Sequence, residues 1–132
     1  NYLYTMGGNA LKKTRVERKN STDYNRIKKE ILDALKPYLK CEAVIEAPEK
    51  TSFGDLDVLY VSNKDIIVKD LLIELFATPE IVKNGDVISF AYDSFQIDMI
   101  KASSDEEFES KKFYFSYGDF GCILGKMVNF CG

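Results

Sequence analysis

Histidine is absent from this chain of 132 residues. That removes Ser-His-Asp and Cys-His nucleophilic catalysis, every His-ligated zinc site and imidazole proton shuttling. Cysteine is scarce: Cys41, Cys122 and Cys131, an odd count with no C-x-x-C pair. Neither a disulfide framework nor a thiolate zinc site fits, and buried free thiols in a reducing compartment are the expectation. No stretch approaches the roughly 18 consecutive apolar residues of a membrane helix, so no membrane partner is expected. No basic-then-apolar leader opens the chain, which predicts a cytoplasmic location. What chemistry remains must use carboxylates, Lys/Arg, hydroxyls or a hard metal held by oxygens.

The composition is otherwise that of a globular domain, 45% hydrophobic and 30% charged, far from the disordered class. The formal charge of −3 is unevenly spread. Residues 1–30 hold eight Lys/Arg against Glu17, Asp23 and Glu30, a net of +5, so the remaining 102 carry −8. A basic end on an acidic body can grip phosphates while the body holds cations.

From Thr22 the apolar positions Tyr24, Ile27, Ile31, Ala34, Leu35 and Tyr38 recur at helical spacing. They predict an amphipathic helix capped by Ser21 or Thr22 and stopped by Pro37. Cys41 to Ala47 reads as a strand, Pro48 to Gly54 as a loop and Leu56 to Val61 as a strand. Val68, Leu71, Leu72, Leu75 and Phe76 predict a second helix ending near Pro79. Lys83-Asn84-Gly85-Asp86 is a hairpin signal with positive φ at both central residues. Val87 to Tyr92 and Phe95 to Ile100 follow as strands about an Asp93-Ser94 turn. Ser104-Asp105-Glu106-Glu107 is a capping box opening a helix, and a last helix is expected over about Phe120–Phe130. These elements predict one α+β domain over residues 1–132, with 1–20 a basic, Gly-containing N-terminal segment. Its helices should cover one face of a mixed or mostly antiparallel sheet.

The chemistry concentrates in Ser52-Phe53-Gly54-Asp55-Leu56-Asp57-Val58-Leu59-Tyr60. Side chains alternate on a strand, so Asp55 and Asp57 share one face while Leu56, Val58 and Tyr60 face the core. Two adjacent carboxylates repel by about 1 kcal/mol at ~4 Å in water and about four times that at a protein surface. A cation between them relieves that cost. A third acid, Asp98, interrupts the apolar run Phe95-Gln96-Ile97-Asp98-Met99-Ile100, where an unpaired charge is expensive to bury. If the two strands are neighbours, three carboxylates and no imidazole form an oxygen-ligand site for Mg²⁺ or Mn²⁺. Such a site suits two-metal phosphoryl transfer. Gly54 gives close backbone approach ahead of the pair.

Gly54-Asp55-Leu56-Asp57-Val58-Leu59 and Gln96-Ile97-Asp98-Met99-Ile100 resemble the second and third motifs of the nucleotidyltransferase superfamily. The likeness is to the palm of DNA polymerase beta and its family X relatives, and it covers roughly residues 42–132. It implies a palm-type fold in which Asp55 and Asp57 ligate both metals. Asp98 would ligate the catalytic metal and take or orient the proton of the acceptor hydroxyl. Tyr117-Gly118 is similar to an aromatic-Gly turn that contacts the incoming sugar. The family's Gly-Ser phosphate turn is missing near Val44-Ile45. Gly7-Gly8, with Lys12 and Arg15, is the candidate replacement, because Gly-rich turns expose N–H groups to anions. Lys50, Thr51 and Ser52 are rivals.

The implied activity is Mg-dependent transfer of a nucleoside monophosphate from an NTP or dNTP to a hydroxyl, polymerase-like, with a nucleic-acid acceptor gripped by the basic N-terminal region. The alternatives are a minimal nucleotidyltransferase that adenylylates a protein, RNA end or small molecule, and a non-catalytic palm that only binds nucleotide or nucleic acid. The absence of lyase and thumb segments fits either a fragment or an unusually small enzyme.

Overall fold

The computed structural model describes residues 10–46 and 49–114. Gly7, Gly8, Tyr117, Gly118 and the expected helix over 120–130 lie outside the described residues.

The first elements are a two-residue strand β1 (Lys19–Asn20) and helix α1 (Ser21–Leu35). The cap of α1 is Asn20, whose side chain accepts the Asp23 N–H at 2.9 Å, instead of Ser21 or Thr22. Tyr24, Ile27, Ile31 and Leu35 are buried along one side, the stripe their spacing dictates. The helix ends before Pro37, so Tyr38 falls off the stripe and is 48% exposed, while Leu39 is buried in its place.

Strands β2 (Cys41–Ala43), β3 (Ser52–Phe53) and β4 (Asp55–Val61) follow. β2 is shorter than the expected Cys41–Ala47, although the Val44 N–H still reaches the Asp57 carbonyl at 2.9 Å. Helix α2 (Val68–Phe76) ends on Ala77, which is left-handed at φ 49° without being glycine. Strands β5 (Ile81–Asn84), β6 (Val87–Tyr92) and β7 (Phe95–Ala102) form two hairpins, and helix α3 (Asp105–Tyr114) closes the described chain. The first hairpin turns at Gly85-Asp86, one residue later than expected, and only Gly85 has positive φ. The second turns at Asp93-Ser94, both with positive φ, which matches the twist of the flanking strands. Half of the capping box forms: the Glu107 N–H donates to Ser104 Oγ at 3.1 Å, while the Glu107 carboxylate accepts the N–H of Ser103 rather than that of Ser104.

The protein is α+β. Five strands make a mixed sheet in the order β2-β4-β7-β6-β5, with β4 and β7 parallel and every other pair antiparallel. β1 and β3 form a separate antiparallel pair. One sheet face carries Leu56, Val58, Ile88, Phe90, Phe95, Ile97 and Met99 into the main core, covered by α1 and α2. The other carries Leu59 and Ala102, on which Phe108 of α3 is fully buried. The helices therefore cover both faces, which corrects the one-sided expectation. Over their C-terminal halves β4 is apolar on both sides and β7 is so except at Lys101, and central parallel strands demand that cover. No described helix is long and apolar enough to cross a membrane.

Candidate metal centre

Asp55 and Asp57 lead β4 and share the face opposite the main core. β7 runs parallel beside β4 with Asp57 level with Asp98 and Asp55 level with Gln96. In-register partners share a face, so the pairing brings the three carboxylates together. Carboxylate oxygens of Asp55, Asp57 and Asp98 lie within 4.8 Å of one another. β6 adds Ser89, level with Asp98. The same face is thus polar at its Asp55 end and apolar toward Leu59 and Ala102, where α3 sits.

Asp98, 5% exposed, is held by two donors. Ser89 Oγ donates to its Oδ1 at 2.7 Å and Gln96 Nε2 to the same oxygen at 2.9 Å. Oδ2 is free of both bonds. Gln96 is fully buried, and its Oε1 accepts the Ala10 N–H at 3.0 Å.

The electrostatics are those of crowded acids opposed by a single lysine, Lys50. Burial, then Asp57 and Asp98, push the Asp55 carboxyl far above its ordinary value, with Lys50 acting the other way. Burial, then Asp98 and Glu46, push Asp57 up, again opposed by Lys50. Asp98 is raised by burial and relieved by Ser89, neighbouring Asp55 and Gln96. Like charges this close favour the protonated form unless a counter-cation arrives.

A second polar group of the site region belongs to the main core. Tyr24 Oη is buried with no hydrogen-bond partner, alone in this among the buried side-chain polar atoms described. Its ring stacks on Phe53 at 3.9 Å between centroids and meets Phe95 edge-on. Burial, then Glu46, Asp57 and Asp55, raise its pKa, so the phenol feels the same acids. Buried hydroxyls are almost always partnered, so this one is an exception among the described residues.

The remaining sequence candidates are dispersed. Gly54 joins β3 to Asp55. Ser52 Oγ is engaged by Arg18 Nε at 2.8 Å, and the Ser52 carbonyl by Arg18 Nη2 at 3.1 Å. Lys12 is exposed and its backbone N–H donates to Glu80. Arg15 lines a cavity of about 500 Å³ with Arg26, Phe76 and Tyr92, and no triad residue lines that cavity. The cation acting on the acidic pair is Lys50, which also pairs with Glu46 at 3.0 Å and lies 5.3 Å above the Phe53 ring. The open cavity and the chemistry are in different places. Convergent, perturbed carboxylates are the stronger indication of function.

Sequence reasoning passed over Tyr24, Glu46, Ser89 and Gln96. For Gln96 a signal existed: a polar residue two before Asp98 in an apolar strand shares its face. No protein-family model matches the chain, and no curated protein does.

Proposed function

We propose that the chain is a divalent-metal-dependent nucleotidyltransferase of the DNA polymerase beta-like type, moving a nucleoside monophosphate from an NTP or dNTP to a hydroxyl and releasing pyrophosphate. The reading stands on one observation, the convergence of Asp55, Asp57 and Asp98 within 4.8 Å across parallel strands. The donor set is all carboxylate oxygen, which suits Mg²⁺ or Mn²⁺ and excludes a soft-metal site. Asp55, Asp57 and Asp98 would hold the metal, which when bound neutralises charge on the transferring phosphoryl group and its leaving group. Asp98, fixed through Oδ1, keeps Oδ2 to orient the acceptor hydroxyl or take its proton. Lys50 is the cation best situated to meet a phosphate beside the acidic pair.

A second reading, transfer to a protein, RNA end or small molecule, is favoured by the state of the basic segment. Lys19, Arg26 and Lys29 pair with Glu17, Asp93 and Asp33 of the same chain, which reduces the cationic surface left for duplex.

Incubation of the chain with radiolabelled ATP or dNTPs, Mg²⁺ and primer–template, tRNA or cell lysate separates the readings. Label in primer supports polymerase activity, and label in protein or RNA ends supports the second reading. No label with any acceptor points to a binding palm. Asp57→Asn should cut incorporation by at least about 100-fold while the chain stays folded. Undiminished activity in that variant at saturating Mg²⁺ contradicts the assignment.

A further inference from the structure

Residues 10–17 cross the β6–β7 end of the sheet as a strap fastened at three points. The Glu17 N–H donates to the Ser94 carbonyl at 2.8 Å. The consecutive N–H groups of Lys12 and Lys13 converge on the Glu80 carboxylate at 3.0–3.1 Å, and Thr14 also hydrogen-bonds it. The Ala10 N–H donates to Gln96 Oε1 at 3.0 Å, and the amide of Gln96 donates in turn to Asp98 Oδ1 at 2.9 Å.

An amide has one acceptor end and one donor end. The Ala10 N–H occupies the acceptor of Gln96 and so turns its NH₂ toward Asp98. Without the strap, the fully buried Gln96 loses the donor that satisfies its Oε1 and that, together with Asp98, holds its amide in this orientation. Glu80 fixes the strap two residues further on. Burial alone would raise the Glu80 carboxyl, yet the donors from Lys12, Thr14 and Lys13 hold it below its ordinary value, the mark of a carboxylate that binds these groups when charged.

We propose that Glu80 is the latch of this strap and Gln96 the relay through which it orients Asp98, both acting as positioning residues of the metal centre. The inference rests on reading the three aspartates as a metal site. Residues that orient ligands through hydrogen bonds govern metal affinity although they touch no metal. Coupling is reciprocal, so a metal that favours the strapped arrangement must also hold the strap down.

The test uses the full chain and Mn²⁺ as probe, with affinity read by calorimetry and the strap by the rate of tryptic cleavage after Lys12, Lys13 and Arg15. Glu80→Ala, outside the core, should weaken Mn²⁺ about fivefold or more and speed cleavage, with Glu80→Asp recovering part of both. Gln96→Leu should weaken Mn²⁺ about 10–100-fold and abolish the slowing of strap cleavage that Mn²⁺ produces in the parent chain. A Glu80→Ala chain with parental Mn²⁺ affinity overturns the proposal, and decides it alone if Gln96→Leu fails to fold. Failure of the parent chain to bind Mn²⁺ is a different result. It refutes the metal reading, and the coupling with it, whatever the strap does.

Discussion

Asp98 is a tightly constrained side chain. It lies on a central strand, is nearly inaccessible, has one oxygen tied to Ser89 and Gln96, and brings its carboxylate within 4.8 Å of those of Asp55 and Asp57. A buried carboxylate ordinarily demands a cationic partner, and the cation acting on this cluster, Lys50, is itself paired with Glu46. The pH dependence follows by sign. Asp55, Asp57 and Asp98 all have folded-state pKa values raised above the ordinary carboxylate value of 3.8. They bind protons more tightly folded than unfolded, so their contribution is complete at low pH and declines as pH rises past that value. Metal-free protein should therefore lose thermal stability between about pH 5 and about pH 8, with Mg²⁺ restoring it progressively. Thermal scans in EDTA and in Mg²⁺ across that range check this. Equal slopes in the two would mean that the cation does not enter the cluster.

Among the elements, the turns and caps use residues that accept unfavourable backbone for a reason. Asp93 has φ 54° and Ser94 φ 59°, yet the turn is held by Arg26 Nη2 on Asp93 Oδ2 at 2.6 Å and by Glu17 on the Ser94 carbonyl. Ala77 is different: it caps α2 at φ 49° with its N–H on the Ile73 carbonyl, and its side chain adds nothing that offsets the strain. Ala77→Gly should stabilise the protein by about 1 kcal/mol, since glycine takes left-handed φ without a Cβ clash. At the start of α1, Asn20→Ala should cost about 1 kcal/mol by orphaning the Asp23 N–H. Urea denaturation of both variants measures the pair, and opposite signs are expected.

Taken whole, the molecule is a sheet with a thick core on one side and a smaller one on the other. Among the described residues, the second core centres on Phe108, fully buried against Leu59 and Ala102 with Lys40 Nζ 4.9 Å from its ring centre. Phe108→Ala should cost about 3–5 kcal/mol, measured by chemical denaturation. A loss below about 1 kcal/mol would mean that α3 does not cover this face in solution. The basic segment belongs to the same picture. It is tied to the acidic body by backbone N–H bonds to Glu80 and Gln96 and by the ion pair of Arg26 with Asp93.

Local patterns carried most of the element list. The stripe of Tyr24, Ile27, Ile31 and Leu35, the capping box at Ser104 and the Asp93-Ser94 turn are written in neighbouring residues, because helix and turn geometry depend on a few positions along the chain. The alternation that puts Asp55 and Asp57 on one face is equally local. Errors occurred where local choices are nearly equivalent, as at Asn20 against Ser21 and at a turn displaced by one residue.

Strand order, the parallel register that sets Asp57 level with Asp98, the placement of α3 on the acidic face, and the contacts of Glu80 and Gln96 with residues 10–14 could not be read from periodicity. Each joins positions tens of residues apart. Such contacts are selected by the burial and hydrogen-bond satisfaction of the whole chain at once, and no short window contains both partners.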